Sequence, residues 1–588
     1  MRIVRLASAA AIALSTFLIA SPASAATLNV CGACTYTTIK AAVTAAAPGD
    51  TIEVDTGTFN EVGPIVIDKP LTIVGEGKAN TIVDGGGANA AIFEIRPLLG
   101  SAAGTITIKE LTVRNSTFST GPIRVLIKAV STPITDITLD KLDINGGGAG
   151  YGMYADGGAK IGGVDRAAPD LTVSNSTVHG QVNNGLGIDT YRGEVTLSTN
   201  QLSEGTSGRS AILVMNEYTT SRMPDPVIIE DNTATGRMAY IKNYVGTTFG
   251  GYDDVRVTGN TVTGLEGGVT SGCPSSPTDT DCGVFFSSNT NNGASDAAMG
   301  KIEVSNNSFT GSTSPTSTGV GIAGAVAEAD IHDNNMVKLG YGVRVDADLT
   351  VSPTKVTVKH NRLFNDGSGV INTSAVALDA RENWWGCQTS PIVGGAYCSE
   401  APNTGSGSVN VDPWVVTTAS LGSNAILTGA STPVNVDLSH LSNGSAVALP
   451  IAYFFGRPTT FTATGGTLNP TAGTLDGSLA DSSTYTAPLI AGPQTITVTV
   501  DQDGTRTGEP VELPITITAL PIDNGDGDGD GNGDGGDDGG ADDDTALPDT
   551  GTTTPEWMVI LAGFTVLLGA VLVSTSRTRR PTGRHILS

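Results

Sequence analysis

The chain has 588 residues, more than one compact domain usually holds, so two or more folded units are expected. Its 76 glycines, with 5% aromatic and 15% charged residues, favour short strands joined by turns over a helical enzyme. The formal net charge is -26, but ten of the aspartates lie between Asp523 and Asp544. The remainder is only moderately acidic and lacks the concentrated Lys and Arg of a nucleic-acid-binding protein.

The N-terminus has the pattern of an export signal. Arg2 and Arg5 precede an apolar run over residues 6–20, and Ala-Ser-Ala at residues 23–25 has the small-x-small form of a signal-peptidase site. These features predict a signal peptide over residues 1–25 and a secreted chain that begins at Ala26.

Export places the six cysteines in an oxidising compartment, where disulfides form. Six cysteines allow about 15 connectivities, and proximity alone favours three local pairs. These are Cys31/Cys34, Cys273/Cys282 and Cys387/Cys398. The CxxC motif of the first pair could instead be a redox or half-metal site, but no second CxxC or His pair accompanies it. No metal site is therefore predicted.

Residues 26–47 are predicted to form an N-terminal cap. Ile39 and Val43 stand four residues apart among alanines, as in a short amphipathic helix over residues 37–47, and Pro48-Gly49 ends it. β-branched runs broken at Gly and Asp follow. This order resembles the N-terminal entry of right-handed parallel β-helix proteins of the pectin-lyase-like superfamily. The resemblance implies that the helix covers the open end of a stack of coils.

An internal repeat extends the β-helix prediction over residues 48–416. Segments such as VRVTGNTV and VTVKHNRL share apolar-x-apolar, two polar positions and an asparagine. A period of roughly 20 to 30 residues is typical of a solenoid. Asparagine tolerates left-handed backbone at a turn, and its amide can bond to the same residue one coil away. The predicted structural ladder comprises Asn200, Asn232, Asn260, Asn307, Asn334 and Asn361.

A second repeated strand, seen in GIDTYRG, ILVMNEY and AYIKNY, precedes another turn. If coils stack at about 4.8 Å, its outward side chains form one ladder, which is how the resembled superfamily builds its sites. Mixed carboxylates, bases and tyrosines suit a polysaccharide groove, although solvated loops also contain them. The candidate glycan-facing residues are Asp189, Tyr191, Arg192, Glu217, Tyr218, Lys242, Tyr244, Asp253 and Asp254, with Tyr154, Asp156 and Asp346 in the same ladder.

Family motifs do not support catalysis by this ladder. The calcium-binding Asp cluster and Arg-rich motifs of pectate lyases are missing, and of the polygalacturonase motifs only an Asp-Asp pair is present. Residues 251–253 resemble a pectin methylesterase segment, but that family's second Asp motif and Arg-Trp are missing. Hydrolysis would need two carboxylates, for which the candidates are Asp189 with Glu217 or Asp253 with Asp254. The histidines predicted to be turn residues rather than general bases are His179, His332 and His360.

The segment ENWWGC, which contains Trp384 and Trp385, resembles the final coils of bacterial β-helix repeat proteins. Paired tryptophans on a surface would suit carbohydrate stacking. Terminal coils also need capping, and a plug at the end of the core is the favoured interpretation.

Residues 417–520 are predicted to form a β-sandwich, because short strands recur there with Gly and Pro turns between them. STYTAP and the TITVTV strand resemble a bacterial immunoglobulin-like domain, which implies a stalk. Residues 521–546 form an Asp/Gly linker that is predicted to be disordered because it is too polar to bury a core. Asp526, Asp528 and Asp530 match the start of a calcium loop, but the closing position is Asp537 without flanking helices, so only weak Ca2+ binding is predicted.

The C-terminal residues 547–588 combine three features in a fixed order. Leu547-Pro548-Asp549-Thr550-Gly551 precedes an apolar run, with a predicted transmembrane helix over about residues 557–576, and then a basic end. This order resembles the sorting signal of Gram-positive surface proteins. The resemblance implies that a sortase cleaves between Thr550 and Gly551 and joins Thr550 to peptidoglycan.

These features together predict an all-β protein with a right-handed parallel β-helix, an immunoglobulin-like β-sandwich, a disordered linker and one C-terminal transmembrane helix. They predict covalent anchoring to the Gram-positive cell wall and display of the β-helix as an adhesin for glycans or surfaces. A polysaccharide lyase or glycoside hydrolase and a structural wall component are the alternatives. No cofactor is predicted, and the expected partners are sortase, peptidoglycan and a surface glycan.

Overall fold

The computed structural model describes residues 25–521 except residues 159, 219–221, 244–249, 267–281, 289–298, 313–315, 347–354, 365–366, 403, 406, 449–451 and 504–505. The chain divides into two compact units, Met1–Pro521 and Ile522–Ser588, and every described residue belongs to the first. The sorting motif, the predicted transmembrane helix, the linker from residue 522 and residues 1–24 of the signal peptide lie outside the described residues. Within the described ranges, no helix has the length and apolarity needed to cross a bilayer.

Three long parallel sheets extend through residues 27–410, here called the coil region. In the described residues, eleven successive segments each contribute one strand to each sheet, and each strand pairs with its counterparts in the preceding and following segments. The described residues are all-β, with 52% in strands and 2% in helices. This topology fits a parallel β-helix and confirms the all-β, parallel-sheet prediction.

Each sheet is ordered along the coil region. Sheet 1 contains Thr27–Val30, Thr51–Val54, Leu71–Gly75, Gly104–Lys109, Ile134–Asp140, Asp170–Ser174, Val195–Ser198, Val227–Glu230, Asp254–Thr258, Met299–Ser305, Val326–His332, Lys355–Lys359, Leu378–Asp379 and Val409–Asn410. Sheet 2 contains Gly57–Asn60, Thr81–Ala88, Thr112–Ser116, Asp143–Asn145, Thr177–His179, Gln201–Ser203, Thr233–Thr235, Thr261–Leu265, Ser308–Gly311, Asn335–Val337 and Arg362–Phe364. Sheet 3 contains Ile65–Ile67, Phe93–Ile95, Ile123–Leu126, Met153–Asp156, Leu186–Asp189, Ile212–Asn216, Ala239–Asn243, Cys282–Ser287, Thr318–Ala323, Tyr341–Val345 and Ser368–Asn372.

Alternating side chains build the interior of the coil region. In the strand Val195–Ser198, the side chains of Val195 and Leu197 are buried, while Thr196 and Ser198 are half-buried on the other face. A strand places successive side chains on opposite faces, so apolar-x-apolar directs every second residue inward. The inward residues of the three sheets form one continuous hydrophobic cluster.

The predicted cap is a helix of seven residues, Ile39–Ala45. The Thr38 side chain accepts a hydrogen bond from the backbone N–H of Ala41, which satisfies one free donor of the first turn. Ile39 and Val43 are buried in the core of the coil region. The helix therefore covers the first coil with its apolar face, as the spacing of these residues predicts.

The six predicted asparagines form a continuous buried ladder that also includes Asn383. Between successive members, one side-chain Oδ1 accepts both the backbone N–H and the Nδ2–H of the preceding asparagine, as Asn334 does from Asn307 at 3.0 and 2.9 Å. Each Nδ2 also donates to a backbone carbonyl of an earlier coil, as that of Asn307 does to Val257 at 2.9 Å. All of these asparagines are at most 1% exposed. The ladder satisfies amides that would otherwise be unpaired in the core.

The backbone geometry corrects one part of the ladder prediction. The left-handed conformation belongs to the residue before each asparagine, as at Thr199, Asp231 and His360 with φ of 56°, 54° and 56°. A left-handed residue turns the chain sharply at the surface, and the asparagine that follows then directs its amide inward. The asparagines thus serve as buried amides rather than as turn residues.

Two of the three predicted disulfides are present, Cys31–Cys34 and Cys387–Cys398. The first assigns the CxxC motif to a covalent link near the N-terminal cap. Cys282 is also disulfide-bonded, and Cys273 lies outside the described residues.

Two mainly antiparallel sheets follow the coil region, beginning at Val415. Sheet 4 contains Val415–Leu421, Ser431–Leu441, Ala480–Thr486 and Thr467–Asn469. Sheet 5 contains Ala425–Leu427, Val511–Thr518, Gly492–Val500, Pro458–Ala463 and Ala472–Thr474. A 3-10 helix covers Ala452–Phe454, and a short hairpin joins Gln502–Asp503 to Arg506–Thr507. Buried residues of both sheets share a hydrophobic cluster of their own.

The adjacent tryptophans belong to two different cores. Trp385 packs in the core of the coil region, whereas Trp384 packs in the core formed by sheets 4 and 5. Both side chains are fully buried, which excludes stacking on a surface carbohydrate. The tryptophans therefore plug the end of the coil region, as predicted, and Trp384 also extends into the following sheets.

A buried ion pair reinforces this junction. The Arg362 guanidinium donates two hydrogen bonds to the Asp501 carboxylate, at 2.7 and 2.8 Å, and the two side chains are 2% and 0% exposed. Trp384 Nε1 donates to the same carboxylate at 3.0 Å, and Arg362 also donates to Asn335 Oδ1 at 2.8 Å. Lys338 pairs with Asp503 at 2.8 Å nearby. The last coils and sheets 4 and 5 are therefore packed as one body.

The substitution Asp501→Ala should lower the free energy of unfolding of residues 26–521 by about 3–5 kcal/mol, because it leaves the buried Arg362 charge unpaired. Chemical denaturation measures the loss. Glu303→Ala is the control, because its pair with Lys301 is 48% and 29% exposed, and a change of about 0–1 kcal/mol is expected. Equal losses in the two variants would contradict the importance of the buried pair.

Candidate functional site

Several predicted site residues meet on the outward face of sheet 3. Strand pairing aligns Asp156 with Asp189, Asp189 with Met215, and Met215 with Lys242. Equivalent positions of adjacent parallel strands lie about 4.8 Å apart, so these side chains form a row along the coil region. The Asp189 cluster denotes this row together with Tyr154, Glu217 and Tyr218, and its members are Tyr154, Asp156, Asp189, Met215, Glu217, Tyr218 and Lys242.

Asp189 lies at the centre of the cluster and is fully buried. Its Oδ2 accepts the Tyr154 hydroxyl at 2.9 Å, and its Oδ1 accepts the Thr190 hydroxyl at 2.7 Å. The pKa of this carboxyl is raised to about 7, chiefly by burial and also by the charges of Glu217 and Asp156, while the hydrogen bonds from Thr190 and Tyr154 lower it. Asp189 therefore exchanges its proton near neutral pH, although no ligand can touch it directly.

The accessible part of the cluster consists of Tyr218, Glu217 and Lys242. Tyr218 is 45% exposed, and the other two side chains are half-buried. Burial raises the pKa of Glu217 and lowers the pKa of Lys242, while attraction between the two charges opposes both shifts. Lys242 Nζ also lies 5.5 Å from the centre of the Tyr240 ring. This part offers a carboxylate, an ammonium and a phenol to a polar ligand.

An apolar layer that the sequence analysis missed supports the cluster. Tyr154 packs with Leu213 and Met215, and the rings of Tyr151 and Tyr154 lie 4.9 Å apart. Both rings cover Gly187, where an added Cβ would stand 2.7–2.8 Å from their carbons. The signal for this layer is present in the second repeated strand, because Tyr154, Leu213 and Met215 are apolar or aromatic residues at its outward positions.

Other candidate residues take structural positions. Tyr191 is 2% exposed, and its hydroxyl donates to the Pro169 carbonyl at 2.9 Å. The predicted role of Tyr191 as a glycan-facing residue is thus corrected, because its ring belongs to the core. Arg192, with a side chain 13% exposed, pairs with Asp165 at 3.2 Å. Tyr244 lies outside the described residues.

The second candidate carboxylate pair is divided between two arginines. Asp253 pairs with Arg222 at 2.7 Å, and Asp254 pairs with Arg256 through two hydrogen bonds. Each carboxylate is thus engaged by its own guanidinium and not by the other carboxylate. Asp346, also in the predicted ladder, pairs with Arg344 at 2.6 Å. These residues lack the buried environment of Asp189.

The histidines in ladder turns are each bonded to a carboxylate. His179 meets Asp143 at 2.8 Å, His360 meets Glu382 at 2.9 Å, and His332 meets Asp333 at 2.8 Å. The hydrogen bond that His332 donates to the Asp333 carboxylate raises the pKa of His332. In the described part of the chain, no group of three or more His, Cys, Asp or Glu residues could hold a metal ion.

Comparisons with known proteins assign no family. No family model matches the chain, and no curated protein matches it. The solved D0-D1 domain of Intimin is 13% identical over 17% of this chain and 46% of that one, with a TM-score of 0.13. The D00-D0 domain of Intimin is 12% identical over 19% of this chain and 54% of that one, with a TM-score of 0.14. The chain spans about half the length of these structures, and TM-scores this low support no inference about fold or function.

Asp189 should make the stability of the protein depend on pH. Its pKa is raised from 3.8 to about 7, so the stability from its protonated form is complete below pH 3.8 and is lost as pH rises through about 7. Asp189→Asn removes this titration. The free energy of unfolding of the variant minus that of the parent should therefore rise by up to about 4 kcal/mol between pH 4 and 8.

Denaturation at a series of pH values measures this difference, and Asp379→Asn is the control. Arg381 lowers the pKa of Asp379 to about 2, so stability from its charge is present above pH 3.8 and is lost as pH falls through 2. The difference between Asp379→Asn and the parent should be constant from pH 4.5 to 8. A constant difference for Asp189→Asn as well would contradict the raised pKa.

Proposed function

We propose that the chain is a surface-displayed protein whose coil region binds glycans at the Asp189 cluster. The observation that carries this proposal is the exposed Tyr218 near Glu217, together with half-buried Lys242 and a packed layer of aromatic and apolar side chains. Sugars present C–H faces that pack on aromatic rings and hydroxyls that bond to charged groups. A rigid row of such groups suits a chain-like ligand lying along the coils.

Display at the cell wall is supported by the sequence at both ends of the chain. The export signal and the LPDTG motif with its apolar run and basic end are the features that favour secretion and sortase attachment. We infer that sheets 4 and 5 form an immunoglobulin-like sandwich, and that the coils have the right-handed sense usual for parallel crossovers. The buried junction at Arg362 favours a sandwich that presents the coil region rigidly.

Tyr218→Ala should weaken glycan binding about fivefold to tenfold, as expected for loss of one aromatic stacking contact. A glycan array probed with residues 26–521 identifies a ligand, and calorimetry with that ligand measures the change. This segment keeps the junction intact, whereas a chain ending near residue 415 would expose Trp384 and leave Arg362 unpaired. Tyr397→Ala is the control, because Tyr397 is 36% exposed outside the cluster and its loss should leave affinity unchanged. Unchanged binding by Tyr218→Ala would contradict the site assignment.

A glycan lyase or hydrolase is the second candidate function, favoured by the carboxyl pair Asp189 and Glu217. One carboxyl that is protonated near pH 7 beside a second one resembles the arrangement of acid and base in glycoside hydrolysis. Because Asp189 is fully buried, only Glu217 could reach a substrate. The geometry thus supports binding better than catalysis.

If the cluster is catalytic, residues 26–521 should release reducing ends or unsaturated uronides from a panel of acidic and neutral polysaccharides. Glu217→Gln should then lower the rate at least about 100-fold, whereas Asp254→Asn should not change it. No release across the panel would count against the enzyme. Silence in both the panel and the glycan array would favour a structural wall component.

Thr550→Ala should move the protein from wall fragments released by muramidase to the membrane and medium fractions. The physical reason is that sortase forms its covalent link through the threonine carbonyl of the motif, in a cleft shaped for that side chain. Immunoblotting of the fractions measures the shift. A variant still joined to wall fragments would refute sortase attachment.

A further inference from the structure

The Thr190 hydroxyl lies between two acceptors. Its Oγ1 is 2.7 Å from Asp189 Oδ1 and 3.3 Å from Asn216 Oδ1. A hydroxyl has one proton, so it donates to only one of these oxygens at a time. The same Oγ1 accepts the backbone N–H of Glu217 at 3.0 Å. Thr190 therefore connects the buried carboxyl to the backbone at the edge of the accessible surface.

Asn216 extends this connection to Tyr218. Its Oδ1 accepts the backbone N–H of Tyr218 at 3.3 Å, and its Nδ2 donates to the Gly250 carbonyl at 2.8 Å, which fixes the orientation of the amide. Asn216 is fully buried. Hydrogen bonds thus lead from Asp189 through Thr190 and Asn216 to the backbone of both Glu217 and Tyr218.

The backbone at Thr190 shows that this arrangement is enforced by the fold. Its φ is 51°, a left-handed conformation that a β-branched residue rarely adopts. Thr190 is also buried, at 3% exposure. Surrounding packing must hold the residue in this conformation, and residues held in this way concentrate at functional sites.

We propose that Asp189 is a positioning residue for Glu217 and Tyr218, and that the proton on its carboxyl sets how firmly their backbone is held. The proposal rests on the proposed function only where it assigns Glu217 and Tyr218 to the ligand side. When Asp189 is protonated, its O–H can donate to Thr190 Oγ1, and the Thr190 hydroxyl then donates to Asn216 Oδ1. When Asp189 is ionised, it accepts from both Thr190 and Tyr154, and Thr190 no longer donates to Asn216.

The charges around Asp189 also favour a looser Glu217 backbone when Asp189 is ionised. Glu217 and Asp156 repel an ionised Asp189, whereas Lys242 attracts both Asp189 and Glu217. Repulsion therefore favours displacement of Glu217, the more exposed carboxylate, when Asp189 loses its proton. The other titratable groups that face this site are Tyr151, Tyr154, Arg192, Arg209, Tyr218 and Tyr252. Burial raises the Asp189 pKa to about 7, so the change falls near neutral pH.

Hydrogen exchange of the full chain without any glycan tests the proposal. Protection factors, which correct for the intrinsic pH dependence of exchange, are measured for the Glu217 and Tyr218 amides between pH 5.5 and 8.5. We expect protection to fall about fivefold to tenfold with a midpoint near pH 7, equivalent to loss of one ordinary hydrogen bond. Asp189→Asn should abolish this midpoint.

Thr190→Val provides an independent test if Asp189→Asn folds poorly. Valine keeps the branched shape but has no hydroxyl, so the Glu217 amide loses its acceptor at every pH. The Tyr218 amide keeps Asn216 as its acceptor, and its midpoint should disappear although Asp189 still titrates. Asp254→Asn, whose parent carboxylate pairs with Arg256 on sheet 1, should retain the parent profile. A parent profile that is flat from pH 5.5 to 8.5, or the same midpoint in either Asp189→Asn or Thr190→Val, would overturn the proposal. Failure of glycan binding alone would leave these exchange results unchanged, so the two proposals fail separately.

Discussion

The buried asparagine ladder is the interaction on which the later coils, from Asn200 to Asn383, depend. Seven amides, from Asn200 to Asn383, stand one above another, and each oxygen after that of Asn200 accepts two N–H groups from the preceding asparagine. A turn entering the core would otherwise leave backbone groups without partners, at a cost of about 1–3 kcal/mol each. Because the ladder repairs this defect in the coils from Asn200 to Asn383, the parallel sheets extend through these coils without interruption.

The same stacking creates the candidate site. Strand register fixes Asp156, Asp189 and Lys242 in one row, and Glu217 and Tyr218 directly follow the strand that contributes Met215 to it. Tyr154, Leu213 and Met215 bury the centre of the row, so Asp189 loses its contact with water while Glu217 and Tyr218 keep theirs. A buried carboxyl behind an accessible surface is thus a consequence of packing on the outer face.

The junction shows which interpretations of the sequence were sound and which were incomplete. Capping by Trp384 and Trp385 could be predicted, because the end of a solenoid must be covered. Their division between two cores could not be predicted. Adjacent residues of an extended chain point to opposite faces, but the sequence does not show which distant segments cover the second face. Arg362 and Asp501 are 139 residues apart, and no local pattern indicated that they meet in a buried pair.

The sequence by itself determined the all-β class, the repeat, the position of the asparagines and two disulfides, because these follow from local periodicity and spacing. Only the tertiary structure decided that the left-handed turn precedes each asparagine, that Tyr191 lies in the core and that Asp189 is buried. Burial depends on which segments cover a side chain, and those segments are distant in sequence. The chemistry of the candidate cluster is therefore set by packing, whereas its residue types and its place on sheet 3 are set by the repeat.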